Sequence, residues 1–209
     1  GGGGCASGSA EGARSGKALG RRRGSGCRGA GGQAQGCGGC SETRRLVWVE
    51  HGGGAVKDAT LSAVTAAGKL GEVHLLVAGQ GVDGVAAAAA KIAGVGKVHL
   101  ADDASLAHAL AENAAPLIVG LMDSHDAVLF PATSNGKNIA PRVAALLDVM
   151  QISDILSVES EDMFTRPIYA GNEIANVKSK DVKKVMTVRG TDFEKAAREG
   201  GPGMVNAVV

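Results

Sequence analysis

The stretch that decides the fold runs over residues 127–148 and reads AVLFPATSNGKNIAPRVAALLD. Its first four residues are apolar, as in a short strand that is buried on both faces of a sheet. Apolar residues then recur at the spacing of one helical face, at Ile139, Val143, Leu146 and Leu147. Because proline is tolerated only in the first turn of a helix, Pro141 places the predicted helix start near Asn138. The stretch therefore predicts a strand, a polar loop over residues 131–137 and a helix.

The rest of the folded region repeats this strand–helix unit. Predicted strands cover residues 46–50, 72–78 and 97–101, and predicted helices cover residues 60–70, 85–93 and 105–122. Strands that alternate with helices predict a doubly wound, mainly parallel sheet of the α/β class. Further strand-like segments lie at residues 155–159, 163–169, 173–178 and 182–188, with a hairpin turn at residues 170–172. We expect these to form an antiparallel extension at the sheet edge, followed by a short last helix over residues 191–199.

Composition divides the chain into two parts. Residues 1–45 are mostly Gly, Ala, Ser and Arg with a net charge of +6, whereas residues 46–209 carry a net charge of −5. The first part cannot bury enough apolar surface to fold, so we predict a disordered basic leader, which is either a transit peptide or a flexible tail. The folded domain is predicted over residues 46–200. Its acidity and the five aromatic residues of the whole chain disfavour nucleic-acid binding, and no apolar run approaches the ~20 residues of a membrane span.

The cysteines and histidines predict no metal site. All four cysteines lie in the leader, at Cys5, Cys27, Cys37 and Cys40. The last two form a C-x-x-C, but a structural zinc site needs four ligands on a defined scaffold, and the other pair is badly spaced. The histidines are scattered along the chain, and we expect His74 and His99 to pack inside strands.

A glycine motif supports a different class of function. Residues Gly79, Gly81 and Gly84 form a G-x-G-x-x-G between a predicted strand and a predicted helix, and Asp102 follows about 20 residues later, as in dinucleotide-binding loops. Against this, glycine is abundant here, and the motif lies in the second strand–helix unit rather than the first. An NAD-binding enzyme that uses this loop remains an alternative, although no catalytic grouping can be recognised.

Longer motifs add a family resemblance. They are TLSAVTAA at residues 60–67, VAGQGVD at 77–83, PATSNGKNIAPRVAALLD at 131–148, RPIYAGN at 166–172 and TVRGTDF at 187–193. In this order they closely resemble the amino-terminal domain of the electron transfer flavoprotein alpha subunit, over about residues 46–201. The resemblance implies an adenine-nucleotide-hydrolase-like, Rossmann-like α/β fold with an antiparallel strand extension.

The resemblance also implies a role in electron transfer. Members of the family are alpha/beta heterodimers that accept electrons on FAD from acyl-CoA and related dehydrogenases of fatty acid β-oxidation. They pass the electrons to a quinone oxidoreductase, and a location in the mitochondrial matrix fits the basic leader. In the family, FAD lies mainly in a second, carboxyl-terminal domain. We therefore expect residues 201–209 to begin a linker to an FAD domain missing from this chain, and we assign no flavin-binding residue.

The remaining contribution expected of this domain is scaffold and contact with the beta subunit. Polar residues beside strand ends are our candidates for interdomain or subunit contacts, namely Thr133, Ser134, Asn135, Lys137, Arg142, Arg166, Asn172 and Arg189. A third possibility is an interaction module that binds no nucleotide.

Overall fold

A computed structural model describes residues 43–208, so the predictions for the leader and its cysteines lie outside the described residues. Its strands are β1 (Arg44–Trp48), β2 (His51–Gly52), β3 (Ala55–Val56), β4 (Glu72–Gly79), β5 (Val95–Asp102), β6 (Ala127–Pro131), β7 (Gln151–Ile155), β8 (Ser157–Val158), β9 (Met163–Ile168), β10 (Glu173–Lys178), β11 (Lys184–Val188) and β12 (Met204–Ala207). Its helices are α1 (Asp58–Gly68), α2 (Asp83–Ala90), α3 (Ala111–Leu121) and α4 (Ser134–Leu146). No helix among the described residues is both long and apolar enough to cross a membrane.

Seven strands form one parallel sheet in the order β12-β5-β4-β1-β6-β11-β7. Helices cover both of its faces, as predicted for a doubly wound sheet. Along β1, Val47 packs into the core beneath α1 and α2, whereas Leu46 and Trp48 pack into the core beneath α3 and α4. Successive strand residues point to opposite faces, which explains why the central strands are apolar at almost every position.

In residues 127–148 the structure differs from the prediction in where the helix begins. Helix α4 begins at Ser134, four residues before the predicted start, and Pro141 lies inside it. Thr133 provides the N-cap, because its side chain accepts a hydrogen bond from the Gly136 backbone N–H at 3.3 Å. The helix therefore starts at the Thr133 cap rather than near Pro141. Pro141 is exposed and removes only one backbone hydrogen bond, so the helix continues through it.

The antiparallel extension is present, but it excludes one strand that we assigned to it. Strands β8, β9 and β10 form a separate three-stranded antiparallel sheet, and the hairpin turn lies at Tyr169–Gly171. Strand β11 was expected in this extension, yet it pairs in parallel with β6 and β7 inside the main sheet. Strand periodicity shows which residues are buried but not which neighbour a strand chooses, and this accounts for the error.

Three other segments differ locally from their predictions. The predicted helix over residues 105–122 begins as the 3-10 turn Ala104–Leu106, and α3 starts only at Ala111. Residues 191–199 form no helix. Instead this segment lies along α1, where the Ala196 N–H donates to the Leu61 carbonyl at 3.3 Å. Within the predicted linker, β12 pairs in parallel with β5 at the sheet edge.

Candidate functional site

The carboxyl ends of the parallel strands place several predicted contact residues at one edge of the sheet. Thr133, directly after β6, donates its hydroxyl proton to the carboxylate of Glu50, which follows β1. That carboxylate is buried, and Lys57 Nζ lies 3.7 Å from its other oxygen. The same Thr133 oxygen accepts the Gly136 N–H. Thr133 therefore links the ends of β1 and β6 to the start of α4, which is a structural role.

A cavity of about 380 Å³ opens at this edge, between the segments that follow β6 and β11 and the start of α1. Lys137 and Arg189 line it, and Lys137 Nζ lies 3.2 Å from an Asp154 carboxylate oxygen. Basic side chains with partly balancing carboxylates suit recognition of another polar protein surface. The cavity thus brings together two predicted contact residues that are far apart in the sequence.

Asp58 adds a second group of charges to the cavity. Its carboxylate lies 2.7 Å from Lys195 Nζ and 2.7 Å from Arg198 Nη2. The hydrogen bonds from Lys195 and then Arg198 lower the pKa of Asp58 below its usual value. Asp58 is therefore an ionised partner for these cations, and it is unsuited to act as a proton donor near neutral pH.

The eight predicted contact residues do not form a single surface. Ser134 and Asn135 are exposed on the first turn of α4, next to Thr133. Arg142 lies further along α4 and pairs with Glu112 of α3 at 3.3 Å. Two others belong to the separate antiparallel sheet, Arg166 in β9 and Asn172 at its turn. The assignment of contacts remains a prediction, and the structure groups five of the eight residues at the carboxyl edge.

The glycine motif has its own structural explanation. The Gly81 N–H donates to both carboxylate oxygens of Asp102, at 2.9 and 3.2 Å, so this acid already holds the loop. A Cβ on Gly79 would lie 2.8 Å from Val82 Cγ1, and Gly81 has a φ of +67°, so close packing and a left-handed turn explain these glycines. Asp83 begins α2 with a carboxylate where a pyrophosphate would need positive potential. These residues do not fit a dinucleotide or FAD.

One cluster was missed by the sequence reasoning. His74, His99 and His125 meet in the interior, with all three buried and a ligand-type atom of each within 4.8 Å of the others. His74 and His99 lie on neighbouring strands, while His125 precedes β6. No spacing along the chain indicates this cluster, because its members come from three different segments.

The fold is a doubly wound α/β domain with polar and charged side chains at the carboxyl ends of its parallel strands. Residues 45–209 match the family model of the electron transfer flavoprotein domain, and the chain therefore belongs to the electron transfer flavoprotein family. The resemblance identified from the sequence motifs is confirmed.

The relatives narrow this family to one subunit type. The electron transfer flavoprotein subunit alpha of Pseudomonas aeruginosa is 56% identical over 164 residues, covering 78% of this chain and 53% of the relative. The subunit alpha of Bradyrhizobium diazoefficiens is 57% identical, covering 78% and 52%. A Dictyostelium discoideum relative named as the mitochondrial subunit alpha is 46% identical, covering 77% and 48%. The chain thus spans about half the length of the curated relatives it matches.

Proposed function

We propose that this chain is the scaffold and subunit-contact domain of an electron transfer flavoprotein alpha subunit. The observation that carries the proposal is the family match over residues 45–209, together with alpha-subunit relatives from bacteria and eukaryotes. In the proposal the chain pairs with a beta subunit. The assembled carrier accepts electrons on FAD from acyl-CoA and related dehydrogenases of fatty acid β-oxidation, and it passes them to a quinone oxidoreductase.

The described residues support a scaffold role in preference to a flavin cradle. The loop that most resembles a dinucleotide site holds Asp102 against Gly81 and presents Asp83 at the start of α2. In the proposal FAD binds mainly to a carboxyl-terminal domain, as the family resemblance implies. The mitochondrial matrix is the proposed location, supported by the mitochondrial names of relatives from Dictyostelium discoideum and Caenorhabditis elegans and by the basic leader.

The surface proposed for subunit contact is the carboxyl edge around Thr133, Lys137 and Arg189. Arg189 is half-buried and lines the cavity of about 380 Å³, where a partner carboxylate can reach its guanidinium. Replacing the Arg189 charge should change the affinity for the beta subunit, while the backbone of the sheet stays as it is. A reversal of that charge also places like charges against each other.

The experiment expresses the complete reading frame that contains this chain together with the beta subunit. We expect one heterodimer with flavin absorbance that is bleached by an acyl-CoA dehydrogenase and its substrate. Arg189→Glu should weaken heterodimer formation by at least about tenfold. Lys180→Glu is the matched control, because Lys180 is an exposed lysine that lines a different cavity, and it should assemble normally.

Different results would contradict different parts of the proposal. A complete heterodimer without flavin, or with flavin that no acyl-CoA dehydrogenase reduces, would refute the carrier function. Unchanged assembly of Arg189→Glu would refute the assigned contact edge alone. Saturable binding of NADH that is lost in Asp102→Asn would instead support a dinucleotide enzyme.

A further inference from the structure

Three imidazole rings meet inside the domain, and none of them lines the cavity at the carboxyl edge. His74 belongs to β4, His99 to β5, and His125 to the turn between α3 and β6. Their exposed fractions are 6%, 7% and 1%. The ring centroids are 4.9 Å apart for His74 and His125, 5.5 Å for His99 and His125, and 5.6 Å for His74 and His99. The three rings therefore form a nearly equilateral triangle.

The hydrogen bonds of the rings decide which nitrogens carry protons. His125 Nδ1 lies 2.7 Å from the Leu121 carbonyl oxygen, which can only accept, so Nδ1 is protonated and Nε2 has a free lone pair. His74 Nδ1 lies 2.8 Å from His125 Nε2, so without a metal ion the proton of neutral His74 is on Nδ1, which donates to the Nε2 lone pair.

His74 also has an acceptor on its other side. A Glu72 carboxylate oxygen lies 3.4 Å from His74 Nε2, so the His74 proton can move to Nε2, and the two facing nitrogens then both offer lone pairs to an ion. His99 Nε2 is buried and has no hydrogen-bond partner among the described residues. Buried polar atoms are almost always paired, so the unpartnered His99 Nε2, next to two imidazoles that can turn lone pairs toward it, points to a shared cation.

The burial of the cluster favours uncharged rings. Burial lowers the pKa of all three rings, and for His99 it does so to about 4, with His125 as a further cause. Neutral imidazole is the form that binds metal ions.

We propose that His74, His99 and His125 together bind one divalent transition-metal ion of the Zn²⁺ type. Three imidazoles around a tetrahedral zinc with Zn–N bonds of about 2.0–2.1 Å have centroids about 5.2 Å apart. The observed separations of 4.9–5.6 Å bracket that value. Ligand nitrogens in such a site are about 3.4 Å apart. Those of the cluster lie within 4.8 Å of one another, and small side-chain rotations would bring them to this separation, with the 2.8 Å between His74 Nδ1 and His125 Nε2 widening.

The surroundings complete the site. The Leu121 carbonyl and the Glu72 carboxylate are outer-shell acceptors that orient two of the ligands, an arrangement common to protein-bound histidine–metal centres. His74 also lines a cavity of about 370 Å³, which opens on the Glu72 side of its ring. Arg44 and Lys97 line the same cavity, and the Glu72 carboxylate offsets part of their charge.

The bound ion acts as a structural clip. It joins β4, β5 and the turn before β6, which belong to separate strand–helix units. Because the site exists only in the folded chain, the ion stabilises that state in proportion to its concentration. The site takes no part in the proposed electron transfer, so its test is independent of that function.

The test uses the whole 209-residue chain with its leader cysteines replaced by serine, because thiolates also bind zinc. The replaced residues are Cys5, Cys27, Cys37 and Cys40. Zn²⁺ is titrated in competition with a chromophoric chelator, and thermal unfolding is followed with and without Zn²⁺. We expect one Zn²⁺ per chain and a higher melting temperature. His99→Gln should abolish both effects, and Glu72→Gln should weaken binding about tenfold.

His108→Gln is the matched control, because His108 is exposed and lies outside the cluster. It should retain one Zn²⁺ and the full thermal shift. The chain with intact histidines also gives a readout for which no histidine variant has to fold. Its Co²⁺ complex should show the intense ligand-field bands of a tetrahedral ion, and X-ray absorption of its Zn²⁺ complex should count three imidazoles. No saturable binding, a weak octahedral Co²⁺ spectrum, fewer than three imidazoles, or unchanged binding in a folded His99→Gln would each overturn the proposal.

Discussion

Replacing Thr133 by valine tests how the carboxyl edge is built. Valine has nearly the same shape, so the substitution leaves no cavity and removes only the hydroxyl. That hydroxyl donates to the buried Glu50 carboxylate and accepts the Gly136 N–H at 3.3 Å. After the change, the Glu50 side chain keeps the Lys57 ammonium at 3.7 Å as its remaining ion-pair contact among the described residues.

The expected loss follows from these two contacts. Removing an N-cap side chain costs about 1 kcal/mol. Removing a hydrogen bond to a charged group costs about 1.5–3 kcal/mol. We therefore expect Thr133→Val to lower the free energy of unfolding by about 2–4 kcal/mol. A typical domain is stable by about 5–15 kcal/mol, so the change is large enough to measure.

Urea unfolding followed by fluorescence is the suitable assay, because Trp48 is the only tryptophan and is 2% exposed. Thr133→Ser is the matched control, since it keeps the hydroxyl and loses one methyl group, at a cost of about 1 kcal/mol. A Glu50→Gln background removes the buried charge, and there the Thr133→Val loss should shrink toward about 1 kcal/mol. The reasoning fails if Thr133→Val costs no more than Thr133→Ser, or if its cost is the same in both backgrounds.

Two further substitutions test the packing by the same unfolding assay. Gly136→Ala should lower the free energy of unfolding by about 1–3 kcal/mol, because the added Cβ would lie 2.0 Å from the Pro131 carbonyl oxygen. Gly84→Ala is the control, because its Cβ meets nothing within 4 Å. It should raise the free energy of unfolding by up to about 1 kcal/mol through better helix propensity. An equal effect of the two alanines would refute the close approach at Pro131. Phe164→Ala should cost about 3–5 kcal/mol, because this buried ring packs in the main core from the antiparallel sheet, whereas Ile174→Ala, at an exposed position, should stay within about 0.5 kcal/mol. A small loss for Phe164→Ala would mean that the antiparallel sheet is held to the main sheet by other contacts.

Local patterns were reliable where one segment specifies its own structure. The apolar run before Pro131 is a strand, and the hairpin turn near Gly171 is a turn. The start of α4 was misplaced because two local signals conflicted there, and the Thr133 cap prevailed over Pro141. The residues 191–199 were misread as a helix because their role is to pack along α1, which their own sequence does not reveal.

The sequence by itself determined the α/β class, the alternation of strands and helices, and the family, because periodicity and motifs are properties of neighbouring residues. Only the tertiary structure decided that β11 lies between β6 and β7, that Arg189 shares a cavity with Lys137, and that three histidines meet in the interior. The physical reason is that strand order and side-chain encounters depend on packing between segments distant along the chain. His74 and His125 are 51 residues apart, yet their ring nitrogens lie 2.8 Å from each other.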